Sequence, residues 1–231
     1  MQKTIRRRDP VQPVEFQTAI HPLLQRIYSA RGVLHERELQ YQLANLHKPT
    51  FKGLAQAVSL LADAVVAQAK IIIVGDFDAD GATSSALAVL ALRAMGLPHV
   101  DFLVPNRFEY GYGLTPEIVA VAAAQQPDII ITVDNGISSI EGVEAAQELG
   151  IAVIVTNHHL PGAQLPNADA IVNPNQPGCE FPSKNLAGVG VIFYVMNALR
   201  AELRQMGWFE ESGIAEPNMA SFLDLVALGT V

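Results

Sequence analysis

Cysteine is almost absent from this 231-residue sequence: Cys179 is the only one, so no disulfide can form within the chain. The sequence also lacks an apolar run of the roughly 18 to 20 residues that a membrane span needs, and its first residues carry no signal-peptide core. Charged residues make up 16% of the chain and hydrophobic ones 50%, which excludes a disordered protein. We therefore expect a folded, cytoplasmic protein that makes no contact with membranes.

Positive charge is also scarce. The chain has 15 Lys and Arg against 23 Asp and Glu, a formal net charge of -8. This balance argues against a protein that holds nucleic acid through an overall positive field. A local basic groove is still compatible with this net charge, and bound metal could neutralise several of the acids. The run Arg6-Arg7-Arg8 is one local basic feature, although a solvated terminal arm is the simpler interpretation.

Apolar segments of two kinds alternate from residue 70 onward. Short Ile- and Val-rich runs, typical of strands buried on both faces, are separated by longer segments with helical spacing. The predicted strands cover 70–75, 99–104, 128–133, 151–156 and 170–173. The predicted helices cover 82–95, 115–125, 138–149 and 188–200. This alternation predicts an α/β fold with a doubly wound, mainly parallel sheet and helices on both faces.

The part of the chain before this alternation shows helical spacing only. Apolar residues recur at that spacing in 20–28, 39–46 and 54–69. We expect an N-terminal helical segment, residues 1–70, packed on the core of a second domain, residues 71–231. We find no chemical motif in the N-terminal segment.

Three acids follow the first predicted strand. The stretch 71–85 reads IIIVGDFDADGATSS, so Asp76, Asp78 and Asp80 come directly after the apolar run. In parallel sheets, ligands bind beyond the carboxyl ends of the strands. Continued strand alternation would point the three carboxylates the same way, where they would repel one another unless a divalent cation lay among them. A solvated acidic turn is the alternative.

Two further predicted strands end in residues that can bind metal. The third is followed by Asp134, and the fourth by Asn157, His158 and His159. Right-handed crossovers would bring these strand ends to one edge of the sheet. A single histidine beside a strand is usually an ordinary polar residue, but two at the same edge as several acids favour a metal site. Mixed carboxylate and imidazole ligands suit Mn²⁺, and Mg²⁺ could share the carboxylate-rich part.

These segments resemble the successive motifs of the DHH phosphoesterase superfamily and, within it, the branch of bacterial single-strand-specific exonucleases. The motifs are GDFDADG at 75–81, VDNGISS at 133–139 and NHHLPG at 157–162. The match continues through VPNRFEYGYGL at 104–114, NPN at 173–175, FPSKNLAGVGVIFY at 181–194 and LDLVALGTV at 223–231. The resemblance thus covers nearly the whole chain, with several motifs in the right order.

The resemblance implies an activity and its partners. It implies metal-assisted hydrolysis of phosphodiester bonds in single-stranded DNA, from the 5′ end, in DNA repair and recombination. Two ions, Mn²⁺ or Mg²⁺, would take part, and no protein nucleophile is needed. Single-strand-binding protein and a DNA helicase are implied as protein partners. The same resemblance implies that the chain is truncated before a second, DHHA1-like domain and an oligonucleotide-binding fold, which would weaken DNA binding.

The resemblance also implies roles for individual residues. Asp134 would bridge two metal ions, one held by Asp76 and Asp78 and the other by Asp80, His158 and Asp224. Phosphate would be bound by Arg107 and His159 and by the backbone amides of Gly188 and Gly190, which open a predicted helix. Tyr110 and Tyr112 could stack a base, or could simply pack over their loop. Catalysis would rest on Asp134, Asn157, His158 and His159.

Two positions depart from the superfamily pattern. Val74 stands where many relatives have a metal-binding histidine, and Asn157 replaces the aspartate that gives the superfamily its name. An asparagine brings no negative charge to orient a neighbouring histidine, and such changes lower metal affinity or activity by about 10- to 100-fold. We expect catalysis to be weakened or absent. A non-catalytic nucleic-acid or partner-binding scaffold, and a small-substrate phosphodiesterase or pyrophosphatase, are the alternatives.

Overall fold

The computed structural model describes residues 14, 16, 19–40 and 45–231, with the side chains of residues 107 and 108 left aside. The chain divides into two compact units, Met1–His47 and Lys48–Val231. The basic run Arg6-Arg7-Arg8, interpreted above as a solvated arm, lies outside the described residues. No helix in the described part of the chain has the length and apolarity that crossing a membrane requires.

The first unit contains helix α1, Pro22–Ala30. The buried Ser29 fixes the chain that precedes this helix, because its hydroxyl accepts a hydrogen bond from Val14 N and donates one to the Gln25 carbonyl. A 3-10 turn follows at Glu36–Leu39, and Gln40 then has extended backbone. The helix predicted over 39–46 is therefore wrong at its described beginning, and residues 41–44 lie outside the described part.

The second unit is built on a five-stranded parallel sheet with the order β2-β1-β3-β4-β5. The strands are β1 (Ile71–Gly75), β2 (Val100–Leu103), β3 (Ile129–Val133), β4 (Ala152–Thr156) and β5 (Ala170–Val172). Each lies within one or two residues of its predicted range. The chain leaves β1 toward one edge of the sheet for β2 and returns to the other side of β1 for β3. The carboxyl ends of β1 and β3 therefore flank the point where the strand order reverses, which is where such sheets bind ligands.

Helices cover both faces of the sheet. They are α2 (Leu54–Ala67), α3 (Ala79–Ala94), α4 (Arg107–Tyr110), α5 (Pro116–Ala123), α6 (Ile140–Glu148), α7 (Gly188–Gln205), α8 (Trp208–Ser212) and α9 (Leu223–Thr230). Helix α2 contributes to the core of this unit, whereas the sequence placed it in the N-terminal segment. The division into domains at residue 70 stays a prediction.

Strand β1 shows why its sequence is apolar throughout. Ile71 and Ile73 belong to the hydrophobic core formed with α2, α3 and α7, whereas Ile72 and Val74 belong to the core formed with α5 and α6. Successive side chains of a strand point to opposite faces, so a strand covered on both sides must be apolar at every position. The predicted doubly wound α/β fold is confirmed. Val74 is fully buried in the second core, which leaves it no part in a metal site.

Candidate metal centre

The turn after β1 depends on two close approaches that explain the glycines of GDFDADG. A Cβ on Gly75 would lie 2.1 Å from the Ser85 hydroxyl, and one on Gly81 would lie 2.4 Å from the Asp76 carbonyl oxygen. Glycine at both positions lets α3 begin directly against the end of β1. Asp78 is the N-cap of α3, and its Oδ1 accepts a hydrogen bond from Gly81 N at 3.0 Å.

The three acids of this turn do not point the same way, because the strand ends at Gly75 and alternation ends with it. Asp76 is 9% exposed and lies with Asp78 near Asp134. Asp80, in the first turn of α3, points instead toward α7: its two oxygens accept hydrogen bonds from Gly188 N and Val189 N, both at 2.7 Å. The prediction that strand alternation aligns the three carboxylates is wrong.

Asp80 also overturns the phosphate cradle predicted at the start of α7. The Gly188 amide is bound by Asp80, and the Gly190 amide donates to the Ala187 carbonyl. The carboxylate of Asp80 occupies the partly positive helix terminus that was predicted to receive a phosphate. Gly188 has a different role, since a Cβ there would lie 2.8 Å from Asp134 Oδ1. Its missing side chain lets α7 approach the centre of the site.

Asp134 is the central residue of this edge. It follows β3 with a φ of +60°, a left-handed conformation that is uncommon outside glycine and typical of constrained functional sites. The side chain is 2% exposed, and within the described part of the chain no well-aligned hydrogen-bond donor faces its Oδ1. Burial raises the pKa of the Asp134 carboxyl, and His158 partly offsets this effect. A buried carboxylate oxygen that no well-aligned donor satisfies is where a cation would be expected.

The two histidines after β4 approach Asp134 from the other side. His158 Nε2 lies 3.1 Å from Asp134 Oδ1 and 3.5 Å from Asp80 Oδ2. His159 Nε2 lies 3.7 Å from the same Asp134 oxygen, and the ring is 43% exposed. Interaction with the Asp134 carboxylate raises the pKa of His158, against the opposing effect of burial.

Asp134 therefore belongs to two groups of potential ligands. Within each group the ligand atoms lie within 4.8 Å of one another. One group is Asp76, Asp78 and Asp134, and the other is Asp134, His158 and His159. Carboxylates alone suit Mg²⁺ or Mn²⁺, and a carboxylate with imidazoles suits Mn²⁺. The buried Asp134 carboxylate and the ligand atoms around it fit a pair of divalent cations that share this residue.

Asparagine side chains fix the backbone that carries the histidines. Asn157 is fully buried, and its Oδ1 accepts a hydrogen bond from His159 N at 2.6 Å. Asn175 donates to the His158 carbonyl at 2.6 Å, and Asn173 donates to the His159 carbonyl at 3.0 Å. We did not predict the roles of Asn173 and Asn175. The signal was present in NPN, two polar residues around a proline at the end of a predicted strand.

A fourth asparagine, Asn135, joins the two central strands. Its Nδ2 donates to the carbonyls of Val74 at 3.0 Å and Val133 at 2.9 Å, the last but one residue of β1 and the last residue of β3. These bonds hold the strand ends that carry Asp76 and Asp134 side by side. Asn135 had no predicted role, because an asparagine in a turn is ordinarily explained by the turn itself.

Tyr112 connects the two groups of ligands. Its hydroxyl hydrogen-bonds the Asp76 carboxylate and lies 3.2 Å from His159 Nδ1 and 3.4 Å from the Asp134 carbonyl oxygen. Burial, together with the charges of Asp76 and Asp134, raises the pKa of the Tyr112 phenol. Open cavities of about 420 Å³ and 350 Å³ border this side chain, which is itself 53% exposed.

Two predicted site residues are not brought into this arrangement. Asp224 is exposed in the first turn of α9, its Oδ1 accepts a hydrogen bond from Leu225 N, and among the described residues it belongs to neither group of ligands. The backbone of Arg107 begins α4, but its side chain lies outside the described part of the structure. The phosphate contact predicted for Arg107 stays a prediction.

The sequence and the fold match known proteins. Residues 70–230 match the model of the DHH family, N-terminal domain. A protein of Dickeya dadantii named single-stranded-DNA-specific exonuclease RecJ is 58% identical over 226 residues, 97% of this chain and 39% of that protein. The Escherichia coli protein of the same name is 55% identical over 228 residues, 98% of this chain and 40% of that protein. The chain thus spans about two fifths of the length of these relatives.

Two solved structures give the same assignment. A crystal structure of exonuclease RecJ bound to manganese matches with a TM-score of 0.65 and 35% identity, over 78% of this chain and 43% of that one. The structure of RecJ from Thermus thermophilus in complex with Mn²⁺ matches with a TM-score of 0.67 and 32% identity, over 88% of this chain and 27% of that one. By its sequence motifs, its fold and the match over residues 70–230, this chain belongs to the DHH family.

Proposed function

We propose that this chain is a metal-dependent phosphodiesterase domain that hydrolyses single-stranded DNA from its 5′ end. The observation that carries the proposal is Asp134, a buried carboxylate that two groups of potential ligands share. Relatives named single-stranded-DNA-specific exonuclease RecJ, 55–58% identical to this chain, support DNA as the substrate. Related structures hold Mn²⁺ in one case and Mg²⁺ in another, which supports the proposed cofactors.

The residues fit the division of labour that two cations require. Asp76 and Asp78 would hold one ion and His158 the other, with Asp134 between them. We also propose Asp80, whose Oδ2 lies 3.5 Å from His158 Nε2, as a ligand of the second ion. When bound, such ions supply a water nucleophile at neutral pH and neutralise charge on the phosphate. Asp224 stays a proposed ligand of the second ion, for which α9 would have to present its carboxylate differently.

The cavities beside Tyr112 provide room for the nucleotide. Together they border Tyr112 and His159, so a phosphate in the centre would have its base or sugar next to the tyrosine ring. His159, exposed and facing Asp134, is placed to contact a phosphate oxygen. We propose Arg107, at the start of α4 and five residues before Tyr112, as a second phosphate contact.

We also propose the cellular setting that this substrate implies. The domain acts in the cytoplasm on single-stranded DNA, together with single-strand-binding protein and a DNA helicase. The net charge of -8 leaves little general attraction for DNA, so binding depends on the metal centre and on local contacts.

The test is a nuclease assay with the chain as it is, the variant Asn157→Asp and the variant Asp134→Asn, each with Mn²⁺. The substrates are 5′-labelled single-stranded DNA, the matching duplex, a dinucleotide and pyrophosphate. We expect Asn157→Asp to release mononucleotides from the single strand about 10- to 100-fold faster than the parent chain, and Asp134→Asn to release none. Preferred cleavage of pyrophosphate or dinucleotide would contradict DNA as the substrate.

One observation favours a second function, a scaffold that binds metal or DNA without cleaving it. Asn157 occupies the position of the superfamily's aspartate and cannot supply its charge. If calorimetry shows Mn²⁺ binding to the parent chain and to Asn157→Asp, and neither cleaves any of the substrates, the scaffold is favoured.

A further inference from the structure

We propose that the smaller cavity beside Tyr112, of about 350 Å³, is a slot for one unpaired nucleobase, and that Leu160 supplies its apolar surface together with the Tyr112 ring. The assignment depends on the proposed function and names the part of the substrate that binds next to the metal centre. We call this cavity the base slot, and its other bordering residues are Gly136, Ile137, Ser138, Ser139 and His159.

Leu160 is an apolar side chain held in solvent at the edge of the metal centre. It is 80% exposed and directly follows His159. The backbone before it is fixed, because Asn175 and Asn173 donate hydrogen bonds to the carbonyls of the two preceding residues. A single exposed leucine is ordinary on a protein surface. One that is held in place beside a cavity offers a preformed apolar contact, which lowers the entropic cost of binding a flat apolar group there.

Charge distinguishes the base slot from the 420 Å³ cavity that Tyr112 also borders. Glu117 and Glu141 border the larger cavity, and hydrogen bonding to the backbone and to Thr115 lowers the pKa of Glu117. The described residues that border the base slot include no Asp, Glu, Lys or Arg. A nucleotide carries a negative phosphate, which carboxylates repel, and an uncharged base. The neutral cavity therefore suits a nucleotide better than the acidic one does.

The base slot begins where a phosphate would be bound. His159 borders it, and His159 Nε2 lies 3.7 Å from Asp134 Oδ1. A nucleotide whose phosphate lies at the metal centre can thus place its base in the slot. The volume lies at the lower end of the roughly 300 to 1,000 Å³ of small-ligand pockets, which suits a single base.

The groups that border the slot favour any base over none. Stacking on an aromatic ring such as that of Tyr112 is available to every base. Ser138 is exposed, and its hydroxyl can donate or accept, so it can meet the polar edge of any base. A base inside a duplex is stacked and paired and must leave the helix before it can enter. The slot therefore recognises an unpaired base without reading its sequence.

Nucleotide binding tests the base slot without any cleavage. The probes are deoxyadenosine 5′-monophosphate, thymidine 5′-monophosphate and 2-deoxyribose 5-phosphate, which share sugar and phosphate but differ in the base. Each is titrated calorimetrically, with Mn²⁺ present, into the parent chain, Leu160→Ala, Leu160→Phe and Leu149→Ala. Leu149 is the matched control, because it is 58% exposed and lies at the opposite end of α6 from Ser139.

We expect the parent chain and Leu149→Ala to bind both nucleotides about 5- to 100-fold more tightly than the sugar phosphate. Leu160→Ala should lose about 5- to 20-fold of its affinity for the nucleotides and none for the sugar phosphate, because only the base contacts residue 160. Leu160→Phe should keep the preference for nucleotides. Thermal unfolding should be the same in all four proteins, since both leucines are exposed.

Three results would overturn the proposal. The first is a parent chain that shows no preference for the nucleotides over the sugar phosphate, including one that binds none of the probes. The second is an equal loss of affinity for all three probes in Leu160→Ala. The third is unchanged nucleotide binding in Leu160→Ala with a loss of self-association in sedimentation, which would assign Leu160 to a contact between two copies of the chain.

The binding result is separate from the nuclease assay, because none of the probes contains a phosphodiester bond. Base-dependent binding by a chain that cleaves no substrate would support the base slot and favour the scaffold function. Cleavage of single-stranded DNA without base-dependent binding would overturn the base slot and leave the proposed nuclease in place.

Discussion

The two halves of the candidate metal centre are supported in different ways. On the acid side, Asp76 and Asp78 are placed by backbone: a strand end, a helix N-cap and two glycines that permit close approach. On the imidazole side, His158 and His159 follow a strand but depend on asparagine side chains that bind their backbone. The acid half thus depends mainly on chain geometry, with Asn135 joining the strand ends, and the imidazole half depends on several individual side chains. Single substitutions should therefore affect the two halves unequally.

Asp134→Asn should have the largest effect, since it affects both halves at once. We expect Mn²⁺ affinity to fall by more than the roughly 10- to 100-fold that changes around a metal ligand produce. The metal-free protein should be at least as stable as the parent, because a buried charge is removed. Calorimetric titration and thermal unfolding measure the two effects. Asp101→Asn, at an exposed position of β2, is the control and should change neither. An unchanged Mn²⁺ affinity in Asp134→Asn would contradict the shared ligand.

Asn175→Ala tests the imidazole side alone. Loss of its hydrogen bond to the His158 carbonyl should lower Mn²⁺ affinity at this half by about 10- to 100-fold while leaving an acid-side ion in place. The number of strongly bound ions in a Mn²⁺ titration should fall from two to one. Asn167→Ala, at an exposed asparagine, should keep both. Equal weakening of both ions by Asn175→Ala would mean that the halves are not separately supported.

The pH dependence should also distinguish the halves. The raised pKa values of His158 and Asp134 mean that the folded, metal-free protein binds protons more tightly than the unfolded chain does. The His158 contribution to stability is complete below the ordinary histidine pKa of about 6.5 and is lost as the pH rises through its higher folded value. We expect the melting temperature without metal to fall over that range, and the increase produced by Mn²⁺ to grow. In His158→Gln, the fall in melting temperature and the growth of the Mn²⁺ effect should both be smaller. If both are unchanged, titratable groups other than His158 cause them.

Tyr112→Phe should have the smallest effect, because the tyrosine connects the halves but is a ligand of neither. Removal of its hydroxyl should lower Mn²⁺ affinity by about 2- to 10-fold, the value of one or two hydrogen bonds of ordinary strength. The Tyr110→Phe variant is the control, and calorimetry is again the measurement. A loss as large as that in Asn175→Ala would make the tyrosine as important as the asparagines.

Much of the fold could be predicted because the two patterns that indicate it, continuous apolar runs and helical spacing, are both local in the sequence. The Ile-rich run of β1 must be buried on both faces, and the spacing of the following segments is helical, so strand positions were correct to one or two residues. The helix predicted to begin at residue 39 rested on apolar spacing alone, and Gln40 has extended backbone instead. Spacing alone does not determine which short segments gain enough burial to form a helix.

The site was predictable in its residue types and less so in their directions. Asp78 and His158 each lie near Asp134, as their strand ends indicated, because parallel strands end at one edge. Asp80 was misplaced, since strand alternation was extended past Gly75 into a helix. The bond from Asp80 to the start of α7, 108 residues away in sequence, has no local signal. Asn173 and Asn175 were missed although NPN offered a local signal, because that signal does not show that their side chains reach the His159 and His158 carbonyls.

The most direct test is the location of Mn²⁺ in a crystal of this chain, identified by anomalous diffraction. We predict two ions, one among Asp76, Asp78 and Asp134 and the other beside Asp134 and His158, with Asp134 bound to both. Ions bound elsewhere, or a saturated crystal in which Asp134 Oδ1 contacts no metal, would contradict the shared metal centre.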